Sequence, residues 1–291
     1  GLWDYAIKPV GDAEPNTFDG KLLVPFAVES SLSGVQKELG KDKELWYKHS
    51  FTIPSSWKGK SVLLHFGAVD WKTEIYLNDV KIGTHTGGYT PFSFDITPFL
   101  KSGSQKLVVK VWDPTTDGYQ PVGKQHTRPH GIWYTPVSGI WQTVWLEPVN
   151  KKHIAALKVV PNIDTKKLSV KACTEGATYG DLIEVVIKDN NTTVATGKGA
   201  AGETLEITIA NPKLWSPDSP FLYDMEVSLV SQGKAQDKVK SYTAMRKVSK
   251  KRDANGIVRL QLNNKDLFQF GPLDQGWWPD GLYTAPTDEA L

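Results

Sequence analysis

Apolar and polar residues alternate along most of this chain, and that period of two leaves few choices of fold. Residues 221–229 are Phe-Leu-Tyr-Asp-Met-Glu-Val-Ser-Leu, so one face of an extended segment is almost wholly apolar. Residues 107–111, 183–187 and 205–209 alternate in the same way. Half-buried antiparallel strands have this pattern. Because no amphipathic helix of three turns is found, we expect an all-β chain built from sandwiches.

A short linker divides the pattern near residue 150. Residues 141–147 predict a closing strand, and residues 148–152 a linker. The sequence before it has long aromatic-rich loops, which predicts a jelly-roll sandwich over residues 1–150. The sequence after it has short strands and tight turns, which predicts an immunoglobulin-like sandwich of about seven strands over residues 151–256.

A third segment covers residues 257–291. Alternating apolar residues from Val258 to Leu262 are followed by an Asn263-Asn264 turn and by residues 267–270, which predict a new strand. The sequence then becomes rich in Gly, Pro and Trp. We expect these residues to be the start of a further domain.

Composition excludes several classes of function. Lysine and arginine total 34 against 32 aspartates and glutamates, and no basic run is present, so no nucleic-acid partner is expected. The single cysteine, Cys173, excludes a disulfide framework and a Cys-rich zinc site. No apolar membrane span is found, and the opening residues Gly1–Asp4 do not form a signal segment. We expect no cofactor and no membrane partner.

Motif searches favour no chemistry by themselves. Residues 197–202 match GxGxxG, but a strand pattern rather than a helix follows, so we interpret them as a hairpin loop. The six histidines include no His-Glu-x-x-His pair, and no Gly-x-Ser-x-Gly elbow is present. A metal site or a Ser-His-Asp triad assembled from distant residues stays open. Eleven tryptophans, several beside Gly, Pro or Asp, suit either sugar contact or burial.

Five stretches, in order along the chain, resemble glycoside hydrolase family 2, the family of β-galactosidases, β-glucuronidases and β-mannosidases. They are Leu23 to Gly34 (LVPFAVESSLSG), His85 to Thr97 (HTGGYTPFSFDIT), Ser138 to Glu147 (SGIWQTVWLE), Leu214 to Pro217 (LWSP) and Phe268 to Gly276 (FQFGPLDQG). The resemblance implies a jelly-roll domain, an immunoglobulin-like domain and then a (β/α)8 barrel that carries the active site. Residues 257–291 would hold the first strand of that barrel.

The resemblance also implies a mechanism, retaining hydrolysis by two Glu residues. The family draws both from later barrel strands, which residues 1–291 do not include, so no catalytic residue is assigned and this chain alone is expected to be inactive. The implied partners are a carbohydrate substrate and the chain's own catalytic barrel, with a homo-oligomer possible. The family's usual hosts favour a periplasmic or extracellular location.

Substrate contact is the role that the resemblance leaves to this chain. Residues that follow the presumed first barrel strand would point into the pocket, and so would a loop of the jelly roll. The candidates are Asp274, Gln275, Trp277 and Trp278 after the strand, and Arg128, His130 and Trp133 in the loop. The alternative is that these residues only pack a domain interface.

The preferred sugar is less constrained. Many relatives carry a sugar-contacting Asp a few residues before the Ser138-Gly139-Ile140 motif, and the aligned residue here is Trp133. The loss removes an acceptor for sugar hydroxyls. A β-galactosidase is placed first because that activity is the commonest among family members with this pattern, and a β-glucuronidase, another β-glycosidase or a non-catalytic carbohydrate-binding module are the alternatives. A third hypothesis assigns the sandwiches a purely structural role.

The last expectation concerns residues 257–291. One barrel strand cannot close a barrel, so this segment should be the least well-packed part of the chain. We expect it to fold back on the sandwiches, with Trp277 and Trp278 as anchors, or to pair with a second molecule. Burial of Phe268, Phe270, Trp277 and Trp278 tests this expectation.

Overall fold

The computed structural model describes residues 1–291 and divides them into two compact units. Unit 1 comprises Gly1–Pro148 and Asp274–Leu291, and unit 2 comprises Val149–Leu273. The predicted three-domain division stays a prediction, and its third segment is distributed over both units. None of the helices has the length and apolar character that crossing a membrane requires.

Unit 1 is a jelly-roll β-sandwich. Its strands are β1 (Leu2–Pro9), β2 (Gly20–Leu23), β3 (Lys43–Thr52), β4 (Ser61–Phe66), β5 (Val69–Asp70), β6 (Lys72–Leu77), β7 (Val80–Thr86), β8 (Phe92–Asp95), β9 (Ser104–Trp112), β10 (Gly139–Ile140) and β11 (Val144–Val149). One sheet has the order β2-β1-β3-β9-β6-β7, a second has β11-β4-β8, and β5 pairs with β10. Short 3-10 helices cover Ser31–Ser33, Ser55–Trp57, Thr97–Phe99, Thr115–Asp117 and Asp288–Ala290.

The core of unit 1 follows from alternation along its strands. In β9, Leu107, Val109 and Val111 are buried between the sheets, as the period of two predicts. Val108, which points the other way, is also fully buried, because it packs with Trp46 and Phe18 on the outer face of the six-stranded sheet. Both faces of this sheet are therefore partly covered, which alternation alone does not indicate.

Residues 274–291 pack on the sandwich of unit 1. Leu282 is 6% exposed and contacts Ala27 and Val137. The Thr284 hydroxyl donates to the Trp141 carbonyl at 2.5 Å, and the Leu32 N–H donates to the Asp280 carbonyl at 3.3 Å. The expectation that this part of the chain folds back is confirmed for these residues, with Leu282 as the most deeply buried anchor and Trp277 and Trp278 half-buried.

Unit 2 contains an immunoglobulin-like sandwich of seven strands and a small additional sheet. The strands are β12 (His153–Asn162), β13 (Lys167–Glu175), β14 (Leu182–Asp189), β15 (Thr192–Ala200), β16 (Thr204–Thr208), β17 (Tyr223–Ser231), β18 (Lys234–Thr243), β19 (Val248–Arg252), β20 (Val258–Leu262) and β21 (Lys265–Asp266). The sandwich has sheets β12-β13-β16 and β15-β14-β17-β18, and the small sheet has the order β19-β20-β21. The predicted all-β class is confirmed.

Alternation in β17 builds the centre of this sandwich. Tyr223, Met225, Val227 and Leu229 are at most 1% exposed, and the residues between them face outward. The Lys213 N–H donates to the Tyr223 hydroxyl at 2.7 Å, so the phenol has a partner despite its burial. A buried tyrosine at the start of this strand that bonds to backbone upstream is a known device of immunoglobulin-like sandwiches.

Residues 197–202 differ from the predicted hairpin loop, because most of them lie in β15. A Cβ at Gly197 would overlap Ile207, and one at Gly199 would overlap Leu205. These glycines therefore let the side chains of β16 pack closely against β15. The turn itself follows at residues 201–203.

The predicted strand at residues 267–270 is wrong for this structure. The Asn263-Asn264 turn joins β20 to β21 as expected, but residues 267–277 belong to no strand. Phe268 and Phe270 are 88% and 94% exposed. A barrel strand is held by parallel neighbours on both sides, and none is present beside these residues.

Candidate functional site

A closed loop in unit 1 carries three of the predicted site residues. The Tyr134 N–H donates to the Lys124 carbonyl at 2.8 Å, and the His126 N–H donates to the Tyr134 carbonyl at 2.9 Å. These two bonds pair Gln125 with Tyr134 and close the neck of the loop. The intervening residues, which we call loop 126–134, lie at the surface.

Loop 126–134 presents cationic and aromatic side chains. Arg128 and His130 are exposed, and Trp133 is 37% exposed. The His126 ring lies 5.4 Å from the His130 ring and 5.9 Å from the Trp133 ring, measured between centroids. No Asp or Glu occurs in the loop.

Backbone contacts fix the imidazole hydrogens of this loop. The Arg128 N–H donates to His126 Nδ1 at 3.0 Å, so the neutral His126 ring carries its hydrogen on Nε2. His130 Nδ1 lies 2.7 Å from the Arg128 carbonyl, which can only accept, so this nitrogen carries a hydrogen. In the neutral rings, Nε2 is therefore a donor on His126 and an acceptor on His130.

A second group of predicted residues meets the loop at Tyr134. The Tyr134 hydroxyl donates to Gln275 Oε1. The Tyr134 ring lies 4.6 Å from the Trp277 ring, which in turn lies 5.3 Å from the Tyr283 ring. The structure thus brings Gln275 and Trp277 to the base of loop 126–134, although about 140 residues separate them in sequence.

Asp274 and Trp278 do not join the contacts at Tyr134 that hold Gln275 and Trp277. Asp274 is exposed, and its carboxylate accepts from the Gly276 N–H at 2.8 Å, which caps a local turn. The Trp278 backbone pairs with Leu282 through two hydrogen bonds. Its side chain lines an open cleft of about 780 Å³ whose other aromatic rings are Phe26, Tyr89, Trp141, Trp145 and Tyr283. Flat aromatic walls of this kind suit the C–H faces of sugars.

A buried polar network lies under the loop. Asp70 is 2% exposed; its Oδ2 accepts from Gln125 Nε2 at 3.0 Å, and its Oδ1 has no hydrogen-bond partner. Burial, and secondarily the nearby Asp113 carboxyl, raises the pKa of Asp70. Burial likewise raises the pKa of Asp113, whose carboxylate accepts from the Ser138 hydroxyl at 2.7 Å.

Glu29 belongs to the same network. Its Oε2 accepts from the Ser138 N–H at 2.9 Å, while its buried Oε1 has no partner. Burial raises the pKa of Glu29 to about 8, so the carboxyl is mostly protonated at neutral pH. No cation is among the groups that shift the pKa values of Glu29, Asp70 and Asp113, so burial of the three carboxyl groups favours their protonated forms.

The surface formed by loop 126–134 and residues 274–278 is rich in aromatic and amide groups and poor in carboxylates. It carries one carboxylate, Asp274, whereas retaining hydrolysis needs an acid and a nucleophile roughly 5–5.5 Å apart. No group of three or more His, Cys, Asp or Glu side chains is arranged to hold a metal ion.

Sequence reasoning missed Gln125, Tyr134 and Tyr89. Gln125 lies in a polar loop where burial has no sequence signal, and Tyr134 follows a predicted residue without any motif of its own. Tyr89 lies inside the resembling stretch HTGGYTPFSFDIT but had no assigned role. Its hydroxyl accepts from Gln125 Nε2 at 3.2 Å, which only the folded chain shows.

Comparison with sequence models of protein families shows which family the chain belongs to. The sequence model of "Glycosyl hydrolases family 2, sugar binding domain" matches residues 34–147, and that of "Glycosyl hydrolases family 2" matches residues 150–246. The chain belongs to glycosyl hydrolase family 2.

Curated relatives of this family 2 chain are longer. A β-galactosidase of Thermoanaerobacter pseudethanolicus is 28% identical over 305 aligned positions, covering 98% of this chain and 40% of the relative. A putative β-glucuronidase of Formosa agariphila is 29% identical over 218 positions, covering 69% of this chain and 25% of the relative. The chain therefore spans less than half the length of these relatives.

Solved structures share the fold of the family 2 chain. A β-glycosidase from Bacteroides vulgatus is 24% identical with a TM-score of 0.74, over 98% of this chain and 38% of that one. The β-glucuronidase of Ruminococcus gnavus in complex with D-glucuronic acid is 19% identical with a TM-score of 0.76, over 98% of this chain and 51% of that one. At these identities the likeness concerns the fold.

Proposed function

We propose that residues 1–291 form the substrate-facing, non-catalytic part of a retaining β-glycosidase of the β-galactosidase type, which hydrolyses terminal β-glycosides of oligo- or polysaccharides. The observation that carries the proposal is the junction at Tyr134, where loop 126–134 meets Gln275 and Trp277. Membership of family 2 supports the reaction class. The greater length of the relatives supports placing the two catalytic Glu residues outside residues 1–291.

The proposed contacts divide by chemistry. Aromatic rings would stack on the apolar faces of the sugar, and the charged and amide groups would bond its hydroxyls. The residues proposed for these contacts are Arg128, His130, Trp133, Asp274, Gln275, Trp277 and Trp278.

A β-glucuronidase is the second candidate, and the charge of the loop favours it. The Arg128 guanidinium makes no ion pair or hydrogen bond, and two imidazoles flank it. A guanidinium pairs with a carboxylate through two parallel hydrogen bonds, which a neutral galactoside cannot form. The carboxylate of a glucuronide would supply the missing partner.

Kinetics on the full-length gene product test these candidates. We expect turnover of an aryl β-galactoside or β-glucuronide by the full-length enzyme and none by residues 1–291 alone. If Arg128 selects uronides, Arg128→Ala raises KM for the glucuronide more than for the galactoside, and Arg128→Lys does so less. Turnover by residues 1–291 above the level of a mock purification would overturn the placement of the catalytic residues.

Autonomous carbohydrate binding is a further candidate, favoured by the cleft between Tyr89, Trp141, Trp145, Trp278 and Tyr283. Calorimetric titration of residues 1–291 with galactose, lactose and plant oligosaccharides tests it. A dissociation constant tighter than ~1 mM, about −4 kcal/mol, would support it. The same value in a Trp141→Ala variant would exclude the cleft as the site.

For unit 2 we propose a scaffold role. Its sandwich presents no cluster of loop aromatics, and its strands expose charged residues such as Glu206 and Asp224. Reversing the charges of Glu206, Asp224 and Glu226 should leave turnover of the full-length enzyme unchanged. A large loss of turnover with intact folding would contradict the scaffold role.

A further inference from the structure

Gln125 occupies the neck of loop 126–134, yet its side chain points into the protein and is 2% exposed. Its Oε1 accepts from the Val137 N–H at 2.6 Å. Its Nε2 donates to Asp70 Oδ2 at 3.0 Å and to the Tyr89 hydroxyl at 3.2 Å. All the hydrogen-bonding atoms of the amide are therefore used, and each bond reaches a different part of unit 1.

The partners of Gln125 are themselves held firmly. Asp70 lies in β5, and its backbone pairs with Gly139 in β10, one residue after Ser138. A Cβ at Gly88 would overlap the Asp70 carboxyl, so the chain passes directly against it. The amide thus joins the loop to β5, to the chain before β10 and to the Tyr89 segment.

We infer that Gln125 is a positioning residue, whose amide clamps the neck of loop 126–134 to Asp70 and Val137 and so fixes where Arg128, His130 and Trp133 stand. The inference rests on the proposed function in so far as it gives the loop a sugar to contact. The clamp itself concerns only residues 1–291.

The test changes the hydrogen-bond donor, Gln125, and the acceptor, Asp70, of the bond between them. Gln125→Glu keeps the shape but sets a second carboxyl 3.0 Å from Asp70 Oδ2. Two carboxyls this close share one proton, so the clamp should hold at pH 5.5 and weaken toward pH 8.0 as that proton is lost. Asp113 and Glu29 are the other acidic groups of the network, and the Tyr89 and Tyr283 hydroxyls also face it.

Hydrogen exchange measured by mass spectrometry on residues 1–291 gives the readout. After correction for intrinsic rates, Gln125→Glu should leave exchange within loop 126–134 near the wild-type rate at pH 5.5. At pH 8.0 the loop should exchange at least tenfold faster, while β3 and β9 remain protected. Gln142→Glu, at an exposed position of unit 1, is the matched control and should leave exchange of the loop unchanged at both pH values.

Rescue by an exchange of roles sharpens the test. Combining Gln125→Glu with Asp70→Asn places an acceptor where the donor was and a donor where the acceptor was. Val137 N–H and the Tyr89 hydroxyl can then both donate to the new carboxylate, so protection of the loop should return at pH 8.0. Gln125→Met, which keeps the shape without hydrogen bonds, should loosen the loop at both pH values and serves if the acidic variant does not fold.

Three outcomes decide the matter. Unchanged exchange of the loop in Gln125→Glu at pH 8.0 would overturn the inference, and so would failure of the double variant to restore protection. In the full-length enzyme, Gln125→Glu should raise KM at pH 8.0 more than it lowers kcat. If the loop loosens but neither Gln125→Glu nor Arg128→Ala alters KM, the clamp stands and the proposed function of the loop fails.

Discussion

A group of buried acids in unit 1 and Glu226 in unit 2 are held in opposite ways. In unit 1, Glu29, Asp70 and Asp113 are buried in the protein, and burial raises the pKa of each. In unit 2, hydrogen bonds from Lys238 and Lys188 lower the pKa of Glu226 to about 2. Burial thus disfavours ionisation of these three acids of unit 1, whereas lysines favour the ionised form of Glu226 in unit 2.

The difference follows from how many polar side chains each unit buries. Unit 2 is a sandwich whose centre, from Tyr223 to Leu229 and their neighbours, is almost wholly apolar. Unit 1 also has an apolar core, but its long loops bury polar side chains such as Gln125 where they cross the sandwich edge. Buried polar groups fix the conformation of a loop when their hydrogen bonds are satisfied. The same groups destabilise the fold when a hydrogen bond is lost.

The largest expected effect is confined to the apolar centre of unit 2. Leu229→Ala removes a fully buried side chain and should cost about 2–5 kcal/mol in the free energy of unfolding of that unit. Hydrogen exchange in β17 should accelerate accordingly, while β3 and β9 of unit 1 keep their rates. Leu222→Ala, at a 47% exposed site, is the control. Equal acceleration in both units would show that they unfold together.

The pH dependence of unit 1 should come next in size. Folding raises the pKa of Glu29 from 4.5 to about 8, so between these values the folded chain keeps a proton that the unfolded chain releases. Stability is therefore highest at the acidic end of this window and is lost as pH rises through it, by at most about 1.4 kcal/mol per pH unit for each such group. Glu29→Gln should make this fall shallower, as measured by urea unfolding at pH 5, 6.5 and 8.

Unit 2 should respond in the opposite sense. The lysine partners of Glu226 favour its ionised form, so their contribution is complete above pH 4.5 and is lost as pH falls toward 2. Lys152 and neighbouring donors likewise hold the pKa of Asp181 well below its usual range. Exchange in β17 should thus accelerate on acidification, where β3 of unit 1 is still protected. The same pH response in both units would contradict the proposed difference between their acids.

A smaller effect is expected at Tyr223. Tyr223→Phe removes the acceptor of the Lys213 N–H without opening a cavity, and should destabilise unit 2 by about 1–2 kcal/mol. Tyr242→Phe, at a 68% exposed position of the same unit, should have no measurable effect. Urea unfolding of both variants measures this difference. Equal unfolding midpoints for Tyr223→Phe and Tyr242→Phe would show that this hydrogen bond does not stabilise unit 2.

The smallest effect is expected at the surface pairs. Lys238 Nζ lies 2.6 Å from Glu226 Oε2, with the lysine side chain 52% exposed. Exposed pairs contribute little because water screens them and both side chains lose freedom. Lys238→Ala should leave the unfolding midpoint nearly unchanged and shift the pKa of Glu226 upward, as NMR titration would show. A marked loss of stability would mean that unit 2 depends on its charges as unit 1 depends on its buried acids.

Much of the fold could be predicted from the sequence because alternation is a local signal. The segment predicted at residues 221–229 forms a strand from Tyr223 to Ser231, shifted by two residues, and the Asn263-Asn264 turn lies where the pattern predicts it. Alternation failed at residues 267–270, since a strand needs partners and none flanks Phe268 and Phe270. It also could not show that Val108 is buried on the outer face, because Phe18 and Trp46 cover it only after folding.

The candidate site was predictable only in part. Resemblance placed Arg128, His130 and Trp133 in one group and Gln275 and Trp277 in another, but it named nothing that joins them. Tyr134 makes that connection by contacts with residues 141 and 143 positions away. Whether these seven candidates bind sugar stays a prediction.

By itself, the sequence determined the all-β class, the sandwich strands and membership of family 2, because alternation and motifs are written along the chain. Only the tertiary structure decided that Asp70 and Gln125 are buried and bonded to one another, 55 residues apart. In the sequence they are ordinary polar residues, indistinguishable from those that face water. Their burial depends on β5, β10 and the Tyr89 segment closing around them, and this long-range packing has no local pattern.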